Sequence, residues 1–193
     1  MIINRLRGAA LTGAGALLLP LALVAVAPAA QAGPVAEPFG PACASLPTKG
    51  EGSAAGMADD PVATAASNNP ELSVLVGAVQ KAGLVDTLNN AQNITVFAPT
   101  NDAFGKIPKA DLDKILNDKE QLTDLLKYHV VGEKVTVGKL PKGTFTTLQG
   151  GQVTTAGSGT SFEVNDSASI VCGDVATKNA NVHLIDTVLM PKS

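Results

Sequence analysis

The sequence predicts an α+β fold, and three of its features say so. Helical spacing of apolar residues is confined to the region between Val62 and His129. Short strands separated by turn residues fill the chain from Thr144 onward, and the stretch Ile94 to Phe104, ITVFAPTNDAF, joins a strand directly to a helix. In that junction Thr95, Val96 and Phe97 are β-branched or aromatic and Ala98 and Pro99 break the run. Thr100, Asn101 and Asp102 are then good helix caps ahead of Ala103 and Phe104. The junction has no G-x-G-x-x-G, P-loop or G-x-S-x-G pattern, so neither phosphate cradling nor a nucleophile elbow has local support.

Taken in order, residues 1–32 read as a secretory signal peptide. Arg5 and Arg7 precede an apolar run, and Ala30-Gln31-Ala32 forms a small-residue cleavage site. Gly13, Gly15, Pro20 and Pro28 interrupt the run and no cationic stop-transfer flank follows, so no stable membrane insertion is expected after cleavage. Leu6 separates the two arginines, which points to the general secretory route rather than twin-arginine export. Gly33, not a cysteine, follows Ala32, and Cys43 comes after Gly40-Pro41-Ala42, so lipid attachment is not expected. Cleavage would take 14 Lys and Arg against 17 Asp and Glu to 12 against 17, moving the net charge from −3 to −5. With scattered cations, no tryptophan and one tyrosine, the chain is a poor partner for nucleic acid.

Residues 33–56, rich in Pro, Gly, Ala and Ser, read as an extended arm, and the folded domain is expected over 57–193. Val62, Ala65 and Ala66 have helical spacing. Asn69 caps a second helix with Pro70 at its first position and Glu71 at the positive dipole end, and Leu72, Leu75, Val76 and Val79 form its buried stripe. Gly83 ends that helix as a left-handed cap, and Leu84, Val85 and Leu88 add a short apolar turn before the Ile94 strand. Beyond the junction Phe104 and Ile107 face inward, Pro108 stops the turn, and Leu112, Ile115 and Leu116 mark another short helix. Asp111, Asp113, Asp118 and Glu120 lack the glycine and ligand rhythm of an EF-hand and read as a solvated face.

Leu122, Leu125, Leu126 and His129 fall at i, i+3, i+4 and i+7 of a helix from Gln121 to His129, so His129 points inward as a hydrogen-bonded core residue. Tyr128 leads into Val130 and Val131, where the period changes to that of a strand. Strands are expected over Phe145–Leu148, Gln152–Thr155, Phe162–Val164, Ser169–Cys172 and Val182–Ile185. Gly150-Gly151, Gly157-Ser158-Gly159 and Asn165-Asp166 serve as hairpin connections. His183 faces opposite to Val182 and Leu184. Two histidines on separate elements, with no H-E-x-x-H and no C-x-x-C, give no zinc arrangement, and neither metal nor cofactor is expected. The apolar tail Val188-Leu189-Met190-Pro191 is placed to seal the core.

The two cysteines, Cys43 and Cys172, allow one intramolecular pairing, which an oxidising compartment favours; free or intermolecular thiols are the other possibility. Closing a loop of about 130 residues would contribute roughly 4 to 5 kcal/mol in the chain-entropy model, as an upper estimate.

Three segments together resemble the fasciclin domain family: TVFAPTNDAF from Thr95 to Phe104, LLKYHVV from Leu125 to Val131, and NVHLIDTVLMP from Asn181 to Pro191. GPAC ending at Cys43 and SIVCGDV around Cys172 are similar to the secreted immunogenic fasciclin proteins of actinobacteria, in which a bridge ties arm to sheet. The resemblance implies a β-wedge of two antiparallel sheets with N-terminal helices packed alongside. It also implies a secreted, non-enzymatic adhesion or host- and matrix-interaction module acting as a monomer on an extracellular or cell-surface partner. In animal members the Tyr-His motif is linked to integrin recognition, which carries over to Leu125, Leu126, Tyr128, His129, Val130 and Val131 as possible partner-binding residues. No Arg-Gly-Asp accompanies them. The alternative is an envelope or extracellular carrier with a groove for a small apolar ligand or glycan. A hydrolase would need Ser, His and carboxylate brought together by folding alone.

Overall fold

The computed structural model describes residues 37–191, so the expected signal peptide lies outside the described residues. After a 3-10 turn at Pro41–Ser45 come four helices: α1 (Ala54–Met57), α2 (Val62–Ser67), α3 (Ser73–Ala82) and α4 (Val85–Asn90). The junction strand β1 (Ile94–Pro99) follows, then α5 (Asn101–Gly105), α6 (Lys109–Asn117), α7 (Lys119–Tyr128) and β2 (Val130–Val131). The remainder is strand: β3 (Lys142–Thr146), β4 (Gln152–Ser158), β5 (Ser161–Val164), β6 (Ala168–Ala176) and β7 (Ala180–Ile185).

The helices begin and end where their caps put them. Asn69 accepts the Glu71 amide ahead of a 3-10 turn at Pro70–Leu72, Thr100 accepts the Ala103 amide, and Gly83 closes α3 at φ 74°. Asp118 accepts from Glu120 and Gln121, so α7 starts at Lys119, two residues before the expected Gln121. The amide hydrogen bonds hold the Asp118 carboxyl below its ordinary range.

Two helices borrow caps from far away. Pro61 cannot cap α2, and the Val62 amide instead donates to Oδ1 of Asn179, whose Nδ2 donates to the carbonyls of Leu88 and Ala91 at 2.8 and 2.6 Å. Asn101 likewise accepts the Val74 amide at 3.0 Å and donates to the Pro70 carbonyl at 2.9 Å.

The strands form one curled sheet of order β2-β1-β7-β6-β5-β4-β3. All pairings are antiparallel except β1 with β7, which run parallel in register from Ile94 opposite Ala180 to Pro99 opposite Ile185. That parallel pair departs from the antiparallel sheets expected. It arises because the helical and hairpin segments between the two strands return the chain to the same end of the sheet. β6 carries register shifts after Ile170 and Cys172 and bends there, which divides the sheet into the two faces of a wedge. A bridge between Val131 and Thr147, with the Leu148 amide donating to the Val130 carbonyl at 2.7 Å, brings the open edges together. Covered edges leave few unpaired strand groups for another chain.

Alternation along the central strands feeds two cores. Val96, Ala98, Val182 and Leu184 pack under the helices with Leu72, Leu122 and Val188. Phe97 and Ile185 point into the curl of the sheet with Val131, Phe145, Phe162 and Leu189. The tail therefore seals both cores at successive residues. All five late strands occur where the turn residues place them, with ends shifted by up to four residues. Gly157 lies inside β4, because the hairpin turns one position later at Gly159-Thr160. Asn165 and Asp166 both take positive φ, 54° and 53°, in the next turn.

Candidate functional site

The Tyr-His segment is built from the end of α7, whose apolar stripe sets Leu122, Leu125 and Leu126 against the helix-side core. All six candidate partner-binding residues are buried: Leu125 5%, Leu126 4%, Tyr128 3%, His129 2%, Val130 3% and Val131 0% exposed. Tyr128 is therefore not displayed at the surface. Its ring packs inside the curled sheet, its hydroxyl donates to the Gln152 carbonyl at 2.9 Å, and it accepts from Nδ2 of Asn165 at 3.0 Å. A phenol satisfied in this way joins α7 to β4 and to the β5–β6 turn.

His129 is fixed as one neutral tautomer. The Leu189 amide donates to Nε2 at 3.0 Å, so Nδ1 carries the proton and donates to the Leu125 carbonyl at 2.8 Å. Burial pushes its pKa down to about 4, partly opposed by the Leu125 carbonyl.

His183 is also buried, within a polar network. The Asp174 amide donates to Nδ1 at 3.2 Å and Nε2 donates to the Val135 carbonyl at 3.0 Å. That carbonyl also accepts from Asn181 at 2.6 Å. Asn181 donates to Asp174 as well, also at 2.6 Å, and the other Asp174 carboxylate oxygen accepts the Val137 amide at 2.9 Å. Burial holds His183 below its ordinary pKa, against the Val135 hydrogen bond and the Asp174 charge. The ring stacks on Phe97 at 5.5 Å. The two histidines share no partner, and the carboxylate beside His183 is itself only 2% exposed.

Cys43 and Cys172 form a disulfide with their Cα atoms 4.9 Å apart, and no described cysteine is free. The arm it holds pairs Phe39 with Gly173, and the Phe39 ring lies edge-on to Phe162 and tilted over His183. A Cβ at residue 173 would collide with that ring, so glycine is needed for the arm to lie down. No group of three or more His, Cys, Asp or Glu among the described residues could hold a metal ion.

One concavity reaches the Tyr-His segment. It is a pocket of about 170 Å³ between α2, α3, α4 and the end of α7, with walls including Val62, Ala66, Val76, Leu84, Leu126 and Val130. Sequence reasoning raised a ligand groove without naming its lining, and it missed the roles of Asp174, Asn179 and Asn181. For Asp174 a signal existed: Gly173-Asp174 interrupts an apolar strand, and such an interruption marks a bulge. Asp174 does take positive φ, 57°, there.

The geometry defines a class: a disulfide-stapled α+β wedge whose ionisable interior is spent on internal hydrogen bonds. Residues 70–191 match the fasciclin domain. The chain is 47% identical over 174 residues to the cell surface glycolipoprotein MPB83 of Mycobacterium bovis, covering 86% of this chain and 78% of the relative. It is 48% identical over 177 residues to the immunogenic protein MPB70 of the same organism, covering 87% and 88%. Among solved structures, a FAS1 domain pair from the insect cell adhesion molecule fasciclin I superposes with TM-score 0.57 at 18% identity. This covers 70% of the present chain and 52% of that one, so the chain spans about half of the insect pair.

The chain belongs to the fasciclin domain family. No described helix is long and apolar enough to cross a membrane.

Proposed function

We propose that the protein is a non-enzymatic adhesion-type module that presents a rigid, oxidised surface to an extracellular protein or matrix partner, and that it does so as a monomer. The observation that carries this reading is the use made of the interior polar groups. Both histidines and Asp174 have their hydrogen-bonding atoms committed to the fold, so none of the three is free to act as a general base. The similarity to a mycobacterial cell surface protein and to an immunogenic protein supports an outward-facing role. With Cys43 in the disulfide, lipid attachment at that residue is incompatible with the fold.

The buried Tyr-His segment acts from beneath by fixing the loop above it. Leu148, 43% exposed, rides on that loop and is tied to Val130 through its own amide. An exposed apolar side chain held on a rigid backbone loses little freedom on contact with a partner. Immobilised protein offered to envelope extracts, cells and matrix proteins tests the reading. Leu148→Asp should reduce capture of a partner at least tenfold while melting as the native protein does. No capture of any partner at micromolar concentration would overturn the adhesion reading.

A further inference from the structure

The pocket at the end of α7 borders the surface invoked for adhesion and has Leu148 in its wall, but it is a concavity rather than an exposed anchor. Its walls are mostly carbon, and among the described residues Lys127 is the one charged side chain that lines it. The other polar lining groups are hydroxyls, an amide, and the ring of His129, which is neutral and has both nitrogens committed. Lys127 is half-buried and makes no ion pair among the described residues. Among the described residues no carboxylate lines the pocket.

We infer that this pocket binds a free medium-chain carboxylate, with the alkyl tail between α2, α3 and α4 and the head group at the Lys127 ammonium.

Three physical points carry the assignment. An apolar cavity of about 150 Å³ stays dry and takes up a benzene-sized guest. A pocket of about 170 Å³ is therefore suited to an alkyl segment on the order of six to eight carbons. A half-buried ammonium beside such a wall favours an anionic head over a neutral or cationic one. The polar network around His183, by contrast, leaves no room for a guest, because each of its groups is already paired. Leu148 is common to this pocket and to the adhesion reading, but the test uses purified protein without any macromolecular partner, so failure of one is distinguishable from failure of the other.

The test titrates isotopically labelled full-length mature protein with hexanoate, heptanoate, octanoate, octanol and octyltrimethylammonium, each below its micellar concentration, followed by NMR. Affinity should rise about fourfold per added methylene until the pocket is full. Octanoate should bind about fivefold more tightly than octanol, as expected for a weakly screened pair, and the cation should bind weakest. Shifts should cluster at Val76, Leu84 and Val130.

Lys127→Gln should bring octanoate and octanol to equal affinity. Ala66→Leu and Val76→Phe, which add bulk to the wall, should each weaken octanoate at least tenfold in protein that melts normally. The proposal is overturned if wild-type protein shows no clustered shifts with octanoate, or no dependence on chain length. It is equally overturned if octanoate and octanol bind alike before Lys127 is changed, or if both folded wall variants bind as wild type does.

Discussion

His129 and His183 are both buried and both keep their ring nitrogens occupied, yet they lie in different surroundings. His129 has an apolar setting and two backbone partners, and it fastens the tail through the Leu189 amide. His183 shares its site with a carboxylate and an asparagine, and it lies beneath the disulfide-held arm through Phe39. Each histidine therefore secures a terminal segment, one through a direct hydrogen bond and the other through packing under a covalent staple. The contrast teaches that a buried histidine beside an acid is not by itself a catalytic pair. What decides is whether any of its atoms remain free and reachable.

The largest break in this comparison should come from the staple. Replacing both cysteines, Cys43→Ser with Cys172→Ser, should cost about 4 to 5 kcal/mol by the loop-closure estimate, read from denaturant unfolding. Hydrogen exchange should then accelerate first at the Asp174 amide, which reports on His183. The Leu189 amide, which reports on His129, should follow later; equal acceleration at both would mean that the arm protects the whole domain alike.

Acid should act mainly on the other site. An unfolded histidine titrates near 6.5, whereas native His129 titrates at about 4, so between those values the unfolded chain takes up a proton that the native chain does not. Stability should be intact above about pH 6.5, fall as the pH drops, and be lower by about 3 kcal/mol at pH 4, from this group alone. His129→Leu should flatten that slope. A slope unchanged in the variant would show that the acid sensitivity arises elsewhere.

Asp174→Asn sharpens the contrast at intermediate size. It places an amide donor against the Val137 amide or the Asn181 amide and should cost about 2 kcal/mol. NMR titration should show His183 pushed lower, since the Asp174 charge opposes its shift, with His129 unmoved. The smallest effect is expected from Tyr128→Phe. Loss of the bonds to Gln152 and Asn165 should cost about 1 kcal/mol in thermal or denaturant melts, with the ring still packed.

Much of the fold was legible because it is written in short-range chemistry. The Asn69 cap, the Gly83 terminus, the strand-to-helix corner at Thr100, the Asn165-Asp166 turn and the inward face of α7 all follow from residues a few positions apart. The candidate site was less legible. The sequence identified Tyr128 and His129 but not the depth at which they sit, because Tyr128 is covered by β4 and by a turn 37 residues away.

By itself the sequence determined the α+β class, the family and the identity of the two cysteines, since each depends on local pattern or simple pairing. Only the tertiary structure decided that β1 and β7 run parallel, that Asn179 caps a helix 117 residues earlier, and that an apolar pocket opens beside Lys127. The physical reason is common to all three. Hydrogen-bond partners and cavity walls are supplied by segments that meet only when the chain closes, and no local periodicity records which distant segment will arrive.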